Sequence, residues 1–160
     1  MTRVYLSLGS NIEREKYIRN ALQALSALYG QLMLSKVYES EAVGFEGDNF
    51  YNLVVGFDTA LDVQTLQTQI KKIEDDNGRV RNGPKFSSRT LDIDILTYGD
   101  FVGVDSGVDL PRDEITKNAF VLLPLSEIAP EESHPGLGVT YQELWLNYDK
   151  SKQKLWAISL

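Results

Sequence analysis

The chain has 160 residues, enough for one domain with a real core, and 42% of them are hydrophobic, which argues against disorder. A net charge of −7 speaks against broad binding to nucleic acid or anionic membranes, because no general field would draw either. With no cysteine and one histidine, His134, a disulfide framework and a thiolate metal site are excluded, and a histidine triad or a zinc site is a poor expectation.

Val4, Leu6 and Leu8 alternate with Tyr5 and Ser7, the period of a first strand. It is expected to end at Gly9-Ser10-Asn11, a turn that also supplies an N-cap side chain. Tyr17, Ile18, Ala21, Leu22, Leu25 and Leu28 recur at helical spacing, and Gly30 stops that helix. A second strand is read over residues 32–40, a loop over 41–49, and a third, central strand over 50–59. Asp62 caps a second helix whose face is Val63, Leu66, Ile70 and Ile73, and Asn77-Gly78 ends it. The long segment 79–88, with Gly83-Pro84, reads as a functional loop.

Next comes the most informative stretch, Arg89-Thr90-Leu91-Asp92-Ile93-Asp94-Ile95-Leu96. Leu91, Ile93 and Ile95 alternate with two aspartates, so the aliphatic set faces a core and both carboxylates leave the opposite face. An Asp-x-Asp pair is often no more than the wet side of a sheet. Here, however, a run without acids holds Arg79, Arg81, Lys85 and Arg89 immediately upstream. Carboxylates beside clustered cations suit magnesium and a polyphosphate, which use both signs at once.

Tyr98-Gly99-Asp100 reads as a turn into a hairpin partner over 101–104. Thr116 or Asn118 is placed to cap a short apolar helix through Phe120, Val121, Leu122, Leu123 and Leu125, with Pro124 interrupting any longer one. His134, in Ser133-His134-Pro135-Gly136, reads as a surface turn residue. Thr140-Tyr141-Gln142-Glu143 is a capping box, and Leu155, Trp156 and Ile158 make a closing strand. The order predicts an α+β class, a ferredoxin-like-related αβα sandwich with helices on a mostly antiparallel central sheet, as a single domain over 1–160. The chain opens without a signal series and has no apolar run of spanning length, so a soluble, cytoplasmic protein is expected.

These segments resemble the 6-hydroxymethyl-7,8-dihydropterin pyrophosphokinase family of folate biosynthesis. The Arg89–Leu96 segment matches its signature, and Leu8-Gly9-Ser10-Asn11, Phe50-Tyr51-Asn52, Glu74 with Arg79 and Arg81, and residues 120–130 match in order. The resemblance implies pyrophosphate transfer from ATP to the hydroxymethyl group of the pterin, with AMP released. It implies two Mg²⁺ ions on Asp92 and Asp94, and a catalytic set of Arg81, Arg89, Asp92 and Asp94. ATP would meet Glu74, Arg79, Arg81, Lys85, Phe86, Arg89 and Arg112. The pterin would meet Ser40, Ala42, Val43, Phe50, Asn52 and Phe120, with the two phenylalanines on its faces and Asn52 on its edge. No protein partner, nucleic acid or membrane is implied.

The chain departs from the family pattern at several places. Arg112 stands at a histidine position, Asn118 replaces an arginine, Phe86 replaces a tryptophan, and Ser40-Glu41-Ala42-Val43-Gly44 replaces a proline-rich loop. The alternative reading is a non-catalytic pterin- or nucleotide-binding relative.

Overall fold

The computed structural model describes residues 1–42, 46–78, 90–151 and 153–160. Among them the main sheet is built from β1 (Thr2–Ser10), β2 (Met33–Leu34), β3 (Val37–Ser40), β4 (Phe50–Thr59), β5 (Asp92–Tyr98) and β8 (Leu155–Ile158). The strands run in the order β5-β1-β4-β3-β8, with β2 also paired to β4, and the pairings are antiparallel. The α+β class and the antiparallel sheet expected from the sequence are the ones observed.

Helices cover both faces because the strand alternation sorts side chains to two sides. Leu6, Leu8, Leu53, Val55, Ile93 and Ile95 face α1 (Arg14–Tyr29) and α2 (Val63–Asp76), where they meet Ile18, Leu25, Leu66 and Ile70. Tyr5, Val54 and Leu96 face the other way. They pack on Val121, Leu122 and Leu125 of α4 (Ala119–Ile128) and Tyr141 of α5 (Tyr141–Leu146). Asp62 caps α2 by accepting from Thr65 N at 2.8 Å, and Thr140 caps α5 by accepting from Glu143 N at 3.2 Å.

Several expectations need correction. β1 continues through Ser10, and the residue before α1 is Glu13 at φ 43°, which makes no side-chain cap. The predicted strand over 32–40 is split. Ser35 Oγ accepts from Val54 N at 2.9 Å, so a side chain takes over where the backbone ladder would run. Residues 101–104 do not return along β5. Instead β6 (Gly103–Asp105) pairs with β7 (Val108–Leu110) in a separate ribbon, and the short α3 (Glu114–Lys117) follows. Pro124 lies inside α4 and does not end it. The cost of a mid-helix proline, about 3 kcal/mol, is offset by a helix buried along Val121, Leu122 and Leu125. Asn118 makes no side-chain cap to α4. His134 is buried, with Nδ1 accepting from Gly136 N and Leu137 N, both at 3.1 Å. No helix of the described residues is long and apolar enough to cross a membrane.

Candidate active site

The site is assembled by cross-strand register. Residues directly opposite one another in an antiparallel pair point to the same face. Asp92 pairs with Gly9, Gly9 with Asn52, and Asn52 with Tyr38, which makes one row across β5, β1, β4 and β3. Asp94 pairs with Ser7 and Ser7 with Val54, the next row on that face. Val54 belongs to the core under α4, so Asp92, Asp94 and Asn52 all open on the α4 side of the sheet. Phe50 pairs with Ser40 on the same side, and Phe120 packs there from α4. The sheet therefore collects Asp92, Asp94, Ser40, Phe50 and Asn52 on one surface, with Phe120 packed over it. At about 4.8 Å per strand step, Asp92 and Asn52 stand about 10 Å apart across Gly9.

Gly9 forms the floor between them. A Cβ there would lie 3.3 Å from Asn52 Oδ1 and 3.6 Å from Phe50 Cδ1, so the missing side chain lets both settle over the backbone. Asn52 is buried and donates from Nδ2 to Ser40 Oγ at 2.7 Å, which fixes its carboxamide. Phe50 and Phe120 are both half-buried. Ala42 follows β3 by two residues, and Val43 lies outside the described residues.

Asp94 is the electrostatic centre. Burial pushes its carboxyl up to about 8, and Asp92 adds to the rise, while Arg112 works against it. Arg112 Nη2 lies 3.2 Å from Asp94 Oδ1 and 3.6 Å from Glu114 Oε1. Burial opposes the charge of this guanidinium, yet Asp94, Glu114 and Asp92 together hold its pKa above the ordinary arginine value. Burial likewise raises Glu114. Arg112 is held in place through its own backbone, whose N–H donates to Leu96 O at 2.9 Å.

Glu74 sits on the other side of the same strand. It is 4% exposed, and its Oε2 accepts from Ile93 N at 2.8 Å. Ile93 lies between the two aspartates on edge strand β5, so Glu74 ties helix α2 to the segment that carries them. Thr90 Oγ1, two residues before Asp92, is the buried side-chain polar atom without a hydrogen-bond partner among the described residues. Arg79, Arg81, Lys85, Phe86 and Arg89 lie outside the described residues.

Three contributors were not singled out from the sequence. Glu114 reaches the site only because the ribbon returns the chain to β5. Gly9 was one letter of a weak motif. Gln153 accepts from Ala119 N at 2.7 Å and donates to Asn118 Oδ1 at 3.0 Å, so it caps the helix that bears Phe120. Only the glycine's pairing opposite Asp92 and Asn52 offered a signal, and it needed the strand register to be read.

A family model described as 7,8-dihydro-6-hydroxymethylpterin-pyrophosphokinase (HPPK) matches residues 5–130. A 2-amino-4-hydroxy-6-hydroxymethyldihydropteridine pyrophosphokinase of Aquifex aeolicus is 41% identical over 137 residues, covering 84% of this chain and 85% of that protein. One of the same name from Porphyromonas gingivalis is 38% identical, covering 81% of this chain and 92% of its own length. The crystal structure of Plasmodium falciparum HPPK-DHPS wild type with SDX-DHP superposes with a TM-score of 0.68 at 19% identity. It covers 91% of this chain and 43% of that one, a likeness of fold. With the signature aspartates on one sheet face and a match from β1 to the end of α4, the chain belongs to the 7,8-dihydro-6-hydroxymethylpterin-pyrophosphokinase family.

Proposed function

We propose that the chain transfers a pyrophosphoryl group from ATP to 6-hydroxymethyl-7,8-dihydropterin in folate biosynthesis, releasing AMP. Family membership supports the reaction. The observation that carries the assignment to residues is the shared face of Asp92, Asp94, Asn52 and Phe120. In the reaction the pterin hydroxyl oxygen bonds to the β-phosphorus, the bond from that phosphorus to the α–β bridging oxygen breaks, AMP keeps that oxygen, and the hydroxyl proton passes to solvent.

Two Mg²⁺ ions fit the residues present. Among the described residues no cluster of three or more acidic or histidine side chains would hold an ion unaided. Magnesium takes one or two carboxylates and completes its shell with water and phosphate oxygens, so Asp92 and Asp94 suffice as its protein ligands. Burial, and after it the neighbouring Asp92, raises the Asp94 carboxyl, and a divalent cation bound there would favour its ionised form. Bound magnesium would lower the pKa of the attacking hydroxyl and spread charge on the triphosphate.

The chain's own residues then position the reactants, which is most of what phosphoryl-type transfer asks of a protein. Asn52, locked by Ser40, presents a carboxamide to the pterin edge, and pterin contact is assigned to Ala42 and Val43 on the family resemblance. Phe50 and Phe120 supply ring faces. Glu74 keeps the aspartate strand in place from behind. We assign phosphate binding to Arg79, Arg81, Lys85, Arg89 and Arg112, and nucleotide contact to Phe86, on the family resemblance.

Incubation with ATP, Mg²⁺ and the reduced hydroxymethylpterin should give AMP only when the pterin is present. Asp94→Ala should abolish that AMP without changing the circular dichroism spectrum. ADP or orthophosphate as the product, or full turnover by Asp94→Ala, would overturn the reading.

A further inference from the structure

On the α4 side of the sheet, Arg112 pairs with Asp94. Its Nη2 lies 3.2 Å from Asp94 Oδ1 and 3.6 Å from Glu114 Oε1, and Asp92 acts on the same carboxylate from two residues along the strand. The arginine is not a wandering surface side chain. Its backbone is bonded to Leu96 O, two residues beyond Asp94, and two-thirds of its side chain is covered. A divalent cation ligated by Asp94 must therefore share this oxygen with a fixed positive charge or displace it.

We propose that Arg112 is a resident counter-ion of the Asp92–Asp94 pair, which admits a divalent cation only when a polyphosphate arrives with it to take up the arginine. The proposal rests on the metal assignment made above and goes beyond it, because it makes Arg112 the residue that discriminates a metal–nucleotide complex from free metal.

The physical reasons are additive. A hydrated magnesium ion gives up water reluctantly, and replacing one cation by another on the same carboxylates gains it little. A tethered guanidinium competes without the entropic cost of arriving. A triphosphate changes the balance, because its oxygens offer the planar fork a bidentate partner at least as good as Asp94 and Glu114. Arg112 then moves from carboxylate to phosphate, and the arriving cation takes its place as the positive charge beside the aspartates. A neutral imidazole at this position would leave the carboxylates open to free metal.

The test titrates the full-length protein with Mn²⁺ alone, reading free ion by electron paramagnetic resonance, in wild type, Arg112→Gln and Arg112→Lys. Arg112→Gln should bind nucleotide-free Mn²⁺ about tenfold tighter or more, since a unit charge close to the ion is removed. It should also bind a non-hydrolysable ATP analogue more weakly in the presence of EDTA. Arg112→Lys keeps the charge and loses the fork, so its Mn²⁺ affinity should fall between the two. Equal Mn²⁺ affinity in wild type and Arg112→Gln, with binding still lost in Asp94→Asn, would overturn the counter-ion role and leave the metal site standing. Mn²⁺ uptake in the presence of the ATP analogue that is unaffected by Asp94→Asn would remove the metal site, and the proposal with it. If Arg112→Gln fails to fold, Arg112→Lys carries the test, and an affinity unchanged from wild type refutes it.

Discussion

Glu74 offers the sharpest check on how the fold holds the two aspartates. Its carboxyl is 4% exposed and accepts from Ile93 N at 2.8 Å, in the middle of the Asp-x-Asp segment on an edge strand. Glu74→Ala leaves that backbone donor buried without this acceptor, a loss of about 1–3 kcal/mol. For a chain of this size that corresponds to a fall in melting temperature of roughly 4–8 °C at about 2 kcal/mol. Freed of its tether, the strand also lets Asp92 and Asp94 drift, and misplacement on the ångström scale costs up to about a hundredfold in rate. Glu74→Gln keeps an acceptor oxygen within reach, so it should recover most of the stability and the greater part of kcat. Urea denaturation and steady-state AMP release measure the two effects separately. An unchanged melting temperature with normal kcat in Glu74→Ala would refute the positioning argument. Equal damage from Glu74→Gln and Glu74→Ala would show that charge, not the hydrogen bond, is what the site needs.

Gly9→Ala should raise KM for the pterin more than KM for ATP, because the added methyl presses on Asn52 Oδ1 at 3.3 Å and on Phe50; equal shifts in initial-rate measurements would contradict this. Gln153→Ala removes the cap at Ala119 N, a loss of about 1 kcal/mol, and should loosen Phe120 so that pterin affinity falls while ATP affinity holds; fluorescence titration with each ligand decides it. Burial lowers the pKa of His134 below its ordinary 6.5, so the folded chain binds that proton less readily than the unfolded one. The stability it contributes is complete above 6.5 and is lost as pH falls toward the folded value. Urea midpoints at about pH 7.5 and about pH 5.5 should therefore differ more in wild type than in His134→Asn, whose side-chain oxygen can still accept from Gly136 N and Leu137 N. A pH dependence identical in the two proteins would contradict the assignment.

What the sequence revealed was what is local. The strand Phe50–Thr59 and the helix capped by Asp62 came out within their observed bounds, since alternation and an Asx cap act over a few residues. The Asp-x-Asp period placed both carboxylates on one face for the same reason. Partner choice is a different matter. Residues 103–105 carry strand character, yet whether they pair with β5 or with 108–110 depends on turns and packing far from their own pattern. His134 looks like a turn residue and is one. Its burial depends on Tyr141, which stacks edge-on at 6.3 Å, and on the turn closing over it. Pro124 reads as a breaker until the burial of its helix on both sides of the proline is known. In the site, Asp92 and Asp94 were legible as a pair on one strand face, whereas Asn52 was pointed to only by the family resemblance. The bridge from Arg112 to Asp94 was not, because it spans a ribbon whose course no periodicity fixes.

The most direct test of the account is calorimetric binding of a non-hydrolysable ATP analogue to wild type and to the Asp92→Asn/Asp94→Asn double variant, each with Mg²⁺ and with EDTA. Wild type should bind the nucleotide tightly only with Mg²⁺, and the double variant should lose that metal-dependent gain while keeping its fold. Nucleotide affinity that is the same with and without metal in wild type, or a double variant that keeps the full Mg²⁺-dependent gain, would contradict it.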